Sequence, residues 1–250
     1  MHRPTRLLLL VSLALGGCVG LPTPTVPMPV QRLPAPSPPA TGLVALLPGF
    51  GDAPERFTAA GFPAVLQQRD PHLDVVACDA HAGYYRGPTV VERLYEDVLG
   101  PAADDHARRW LVGVSLGGLG AVSFAQEHRD RVDGLILLAP YLGPDDLLDE
   151  IRAAGGLARW TPPPAAAVAP ERRRFVALWT WLRGLTTEPV RMPQVFVGYG
   201  EQDRLAPGIA LLAAALPFDH VVTRAGDHAW TTWTPLFADL VDRALPPVDR

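Results

Sequence analysis

Gly113-Val114-Ser115-Leu116-Gly117-Gly118 sets a serine between glycines, directly after the apolar run Trp110–Val114 and directly before a helical pattern. Glycines at these positions let the backbone turn sharply, so that a strand ends, the serine hydroxyl is raised and a helix begins behind it. A serine hydroxyl is a poor nucleophile near neutral pH. It needs a base within hydrogen-bond reach and a carboxylate to orient that base. Both residue types occur downstream, the acid first and the histidine after it. Asp203 stands in Gly200-Glu201-Gln202-Asp203, just beyond the apolar run Val195–Tyr199, and His228 stands in Gly226-Asp227-His228, just beyond His220–Thr223. A tetrahedral intermediate would also need backbone N–H donors, and the Leu116 amide, next after the serine, is one candidate. Other uses remain open on residue type alone: Asp203 as the cap of a helix beginning near Ala206, Glu201 as the acid in its place, and His228 as a structural loop histidine.

The elements that must position these residues are legible as alternating short and long patterns. Strands are expected at Leu43–Leu47, Val75–Cys78, Trp110–Val114, Leu135–Ala139, Val195–Tyr199 and His220–Thr223, each aliphatic or β-branched and followed by turn residues. Helices are expected at about Pro54–Gln68, Thr89–Leu99, Leu116–His128, Ala206–Leu216 and Thr232–Ala244. The alternation implies an α/β domain with a mostly parallel sheet of about six to seven strands and helices on both faces. From Tyr141 to Pro193 the rhythm breaks. That interval, with helical pieces near Asp145–Ala154 and Arg172–Gly184, is expected to be a partly helical insertion rather than one long loop.

Serine, acid and base in these settings resemble an α/β-hydrolase over about Gly42 to Leu245, with Ser115, Asp203 and His228 at the nucleophile, acid and base positions. Leu47-Pro48-Gly49-Phe50-Gly51 resembles the family's oxyanion segment, with the Phe50 amide as second donor and Pro48 where the family usually has histidine. The resemblance implies a serine hydrolase acting on carboxylic esters through an acyl-enzyme, with no cofactor and no metal. Thioesterase, lipase, peptidase and acyltransferase chemistry, or a catalytically silent binding module, are alternatives on the same fold. The insertion is expected to cap the site. Its Trp179 and Trp181, with Tyr84 and Tyr85 from the loop after Cys78, are the expected substrate-binding residues, although all four are also explained as packing; His81 is the one other histidine expected near the site, and Cys78 reads as a buried strand residue.

The chain's 22 Lys and Arg against 26 Asp and Glu, with no long basic block, exclude a nucleic-acid partner. Met1 to Gly17 has the cationic start and apolar run of a signal peptide, and Leu15-Gly16-Gly17-Cys18 resembles a bacterial lipobox. That resemblance implies a lipid on Cys18 and, with Val19 following, an outer-membrane anchor facing the periplasm. Leu21 to Pro39 holds eight prolines in 19 residues and reads as an extended linker over residues 18–41. The domain at 42–250, with the insertion at about 141–193, is then expected to fold without it. It would act as a monomer on a small-molecule ester.

Overall fold

The computed structural model describes residues 20–87, 89–103, 105–189 and 192–245. The leader and Cys18 lie outside the described residues. The chain builds a seven-stranded sheet from β1 (Val30–Leu33), β2 (Gly42–Leu47), β3 (Leu73–Cys78), β4 (Arg108–Val114), β5 (Gly134–Leu138), β6 (Gln194–Gly200) and β7 (Val221–Arg224), in the order β1-β3-β2-β4-β5-β6-β7. Pairing is parallel from β3 through β7, and β1 alone is antiparallel. β2 and β5 are buried at every position, as continuous aliphatic strands are when helices cover both faces of a sheet.

The helices are α1 (Glu55–Ala59), α2 (Phe62–Arg69), α3 (Thr89–Leu94), α4 (Leu116–Glu127), α5 (Asp145–Ala153), α6 (Arg173–Leu182), α7 (Gly184–Thr187), α8 (Ala206–Ala213) and α9 (Trp230–Ala244). α4 lies against β2, β4 and β5, while α9 crosses β5, β6 and β7 and is joined by α2. The single helix expected over Pro54–Gln68 is divided, because Gly61 takes a left-handed φ of 78° between α1 and α2. The Thr89–Leu99 helix is continuous in sense but widens into a π-helical turn at Tyr95–Leu99. Among the described residues no helix is long and apolar enough to cross a membrane.

The proline-rich segment is not an extended stalk. Val30–Leu33, between Pro29 and Pro34, contains no proline and pairs along β3, with Val30 opposite Cys78 and Leu33 opposite Val75. Prolines at the two ends of an edge strand leave the intervening N–H groups free to bond. The flanks are held as well. Met28 is buried and its N–H donates to Asp97 Oδ2 at 2.8 Å, the Tyr84 hydroxyl bonds both to the Thr25 N–H and to its carbonyl, and the Ala35 N–H reaches Asp74. Proline density is a local property, whereas this docking depends on an open sheet edge supplied by residues far along the chain. The boundary near residue 42 is therefore corrected: the domain begins at least as early as Thr25.

Two outcomes follow. A chain starting at Ala40 should be less stable than one starting at Val19 by about 2 kcal/mol or more, the scale of losing one buried methionine, which thermal denaturation would register as a lower midpoint. Cys78 is wholly buried in β3, and burial pushes its thiol up to about 12. Native protein should leave Cys78 unmodified by iodoacetamide at about pH 8, where its thiolate would be on the order of one part in ten thousand, and unfolding should expose it to rapid alkylation.

Candidate active site

The turn from β4 to α4 is shaped by its glycines. Ser115 has φ 51° and ψ −111°, a conformation that L residues rarely adopt. A Cβ on Gly117 would meet the Leu47 carbonyl oxygen at 2.1 Å, and one on Gly113 would meet the Gly117 oxygen at 2.4 Å. Only glycine at both positions lets α4 start this close to the end of β2. The strained serine is held from all sides: its N–H donates to Leu138 O at 2.9 Å, and its carbonyl accepts from Gly118 at 3.0 Å and from Tyr141 at 2.9 Å.

Asp203 and His228 arrive from the ends of β6 and β7. The two loops are locked together by backbone bonds from Glu201 to Arg224 and from Gln202 to Gly226, and the Gln202 side chain accepts from the Gly226 N–H at 2.6 Å. A Cβ on Gly200 would lie 2.3 Å from the Gly226 oxygen, so this approach again requires glycine. The result is a continuous polar chain. Ser115 Oγ stands 2.9 Å from His228 Nε2, and His228 Nδ1 stands 2.9 and 2.8 Å from the two Asp203 carboxylate oxygens. A carboxylate only accepts, so the proton belongs on Nδ1, which leaves Nε2 to accept the serine hydrogen. Asp203 is 3 % exposed, and its Oδ1 also takes the Leu205 N–H at 2.8 Å. One buried carboxylate thus orients the His228 ring and holds the Leu205 N–H just ahead of α8, without capping the helix itself. Glu201 is exposed, and the bonds to His228 come from Asp203.

The two expected amide donors belong to the start of α4 and to the loop after β2. Leu116 opens α4, where no preceding turn offers its N–H a carbonyl. A Cβ built on buried Gly49 would lie 3.6 Å from Ser115 Cβ, so the loop that carries Phe50 runs past the serine, and the Phe50 side chain is 71 % exposed. Pro48 is buried and its carbonyl packs against Gly117.

The open cleft over Ser115 has a volume of about 540 Å³ and is lined by Phe50, Asp52, Arg56, Arg204, Trp230 and Trp233, among others. No described residue between Tyr141 and Pro193 lines it. The expected pocket residues lie elsewhere, and this corrects the sequence reading. Tyr84 is fully buried with its hydroxyl bound to Thr25; Tyr85 is buried against Gly120 of α4, where burial pushes its phenol up. Trp179 is fully buried and donates to Leu142 O at 2.9 Å, so it docks the insertion. Trp181 lines a separate groove with Pro162, Pro163 and Val176. His81 caps a short turn by accepting the Gly83 N–H and meets the Tyr84 ring at a tilt of 46°. The insertion packs through α6 on α4 and through α5 on α8, and forms no cap over the serine.

The aromatic wall comes instead from the start of α9. Trp230 donates to both Asp52 oxygens at 3.2 Å and meets Phe57, Phe62 and Trp233 edge to face, while Trp233 meets the His228 ring at 4.8 Å. These residues immediately follow the candidate base in sequence, a proximity that could have identified them. Among the described residues no three His, Cys, Asp or Glu side chains gather as a metal site.

Residues 90–205 match the family model described as serine aminopeptidase, S33, a span that includes Ser115 and Asp203 and stops short of His228. Solved structures match over most of their length: a ferulic acid esterase at 15 % identity, covering 88 % of this chain and 96 % of that one with a TM-score of 0.56; FphF, a fluorophosphonate-binding serine hydrolase of Staphylococcus aureus, at 14 %, 85 %, 96 % and 0.58; and a monoacylglycerol lipase of Paleococcus ferrophilus at 18 %, 86 %, 99 % and 0.55. No curated protein matches by sequence. The chain shares the fold of these solved structures, and its residues 90–205 resemble the serine aminopeptidase family.

The strain at Ser115 gives a measurable signature. Ser115→Gly should melt above Ser115→Ala, by about 1 kcal/mol in stability, because both remove the hydroxyl and only glycine relaxes at φ 51°. Equal melting points would show that the turn carries no strain.

Proposed function

We propose that this protein hydrolyses carboxylic esters of small molecules through a Ser115-His228-Asp203 triad. The observation that carries the reading is the unbroken hydrogen-bonded chain from the serine hydroxyl to the buried carboxylate. His228 Nε2 takes the Ser115 proton as the oxygen attacks the carbonyl carbon, and Asp203 stabilises the imidazolium that forms. The Phe50 and Leu116 amides stabilise the oxyanion. The tetrahedral intermediate collapses as the imidazolium protonates the leaving alcohol, and water, deprotonated by the same histidine, then releases the acid from the acyl-serine. The open cleft favours water as the acceptor over transfer to an alcohol.

The family model's name raises an aminopeptidase as a second reading. Such an enzyme must seat an α-ammonium, and the charged side chains lining this cleft besides His228 are Arg56, Arg204 and Asp52, the last already accepting from Trp230. That charge arrangement supports an ester rather than a free amino terminus. The Leu15-Gly16-Gly17-Cys18 motif supports a lipid-anchored location at the bacterial envelope, facing the periplasm.

A fluorophosphonate should label the folded protein at Ser115 alone, located by peptide mass spectrometry. Ser115→Ala should keep the circular dichroism spectrum while lowering kcat/KM on para-nitrophenyl esters by at least about a thousandfold. A folded protein that takes no label, or a Ser115→Ala variant with near wild-type turnover, would remove Ser115 as the nucleophile.

A further inference from the structure

We infer that the esters this site selects carry a carboxylate, read by Arg56 and Arg204. The inference rests on the ester-hydrolase reading above and names its substrate class.

The two guanidiniums reach the same cleft from separate elements. Arg56 sits on α1, behind the loop that supplies Phe50, and Arg204 directly follows Asp203 in the acid loop. Both are exposed. Among the described residues neither has a carboxylate partner, in a chain where Arg69, Arg93, Arg108, Arg131, Arg152, Arg172 and Arg224 all do. Arg56 is nonetheless positioned, its guanidinium carbon lying 5.2 Å from the centre of the Trp230 ring. The cleft's one carboxylate, Asp52, accepts from the indole N–H of that same Trp230 at 3.2 Å. Trp230 thus holds the cation on its face and the anion at its edge, which keeps Asp52 occupied and leaves Arg56 unpaired.

The local excess of positive charge stands out against the chain's formal charge of −4. With Asp203 buried behind His228 and Asp52 held by Trp230, the charged side chains that this cleft offers a ligand are Arg56 and Arg204, set among low-dielectric aromatics. A guanidinium presents paired, coplanar N–H donors that match a carboxylate in a bidentate fork. Arg204 also lines the neighbouring cavity of about 280 Å³ formed with Tyr141, Asp145 and Leu148. An acyl group running from Ser115 past Arg204 therefore passes a cation before it leaves the cleft. A neutral ester gains nothing from either side chain.

The test compares two substrates of similar length that differ in the terminal group: the para-nitrophenyl monoester of adipic acid and para-nitrophenyl hexanoate, with the buffer rate subtracted. At low ionic strength wild-type kcat/KM should favour the monoadipate about fivefold to tenfold, the scale of two solvent-exposed ion pairs. The preference should lie mainly in KM and shrink as salt is raised to about 0.5 M. In Arg56→Gln/Arg204→Gln the ratio should fall to one or below, and Arg56→Lys/Arg204→Lys, which retains the charge, should recover part of it. Hydrolysis of the hexanoate with no preference for the monoadipate, or a preference that survives in the double glutamine variant, overturns this inference alone. Turnover of neither ester overturns it together with the ester-hydrolase reading.

Discussion

The close approach of α4 to the end of β2 is the constraint on which the site depends. With a Cβ on Gly117 fixed at 2.1 Å from the Leu47 carbonyl oxygen, no other residue lets the helix begin there. The same approach forces Ser115 to φ 51° and turns its hydroxyl toward His228. It also brings the first amide of α4 beside the loop at Gly49 and Phe50. The geometry of Ser115 and the placing of the Leu116 amide are therefore consequences of one backbone contact, and the strain at Ser115 is sustained by the bonds to Leu138, Gly118 and Tyr141 that surround it.

A second close approach, Gly200 against Gly226, performs the corresponding task for acid and base. Burying the Asp203 carboxylate is costly unless its lone pairs are satisfied. Here the His228 ring and the Leu205 amide satisfy them together, so the group that orients the base also fixes the entry to α8. The polar chain closes across 113 positions of sequence between Ser115 and His228, bridged by a parallel sheet whose strand ends all face one crevice.

The insertion and the N-terminal segment exchange the roles that their compositions suggest. The insertion, rich in tryptophan, packs beside the sheet and buries Trp179 in a contact of its own, leaving the cleft over the serine to be lined by other elements. The proline-rich segment adds a strand to the sheet and covers Met28 and Tyr84. The lining of the cleft then falls to residues of the body itself, above all Trp230, which meets the α1–α2 aromatics edge to face and arranges Asp52 and Arg56 at its edge and face.

The sequence by itself determined six of the seven strands, the helices between them and the three side chains that meet at the cleft. Each depends on local order: continuous aliphatic runs, glycines flanking a serine, an acid and a histidine just past strand ends. Only the tertiary structure decided the first strand, because pairing of Val30–Leu33 needs the edge of β3, and no pattern within a proline-rich segment records that edge. It also decided which aromatics face the serine. An aromatic run looks the same in sequence whether it docks one element on another or lines a cleft. What separates Trp179 from Trp230 is the partner each finds: a backbone carbonyl within the insertion for one, and Asp52 with Arg56 at the mouth of the site for the other.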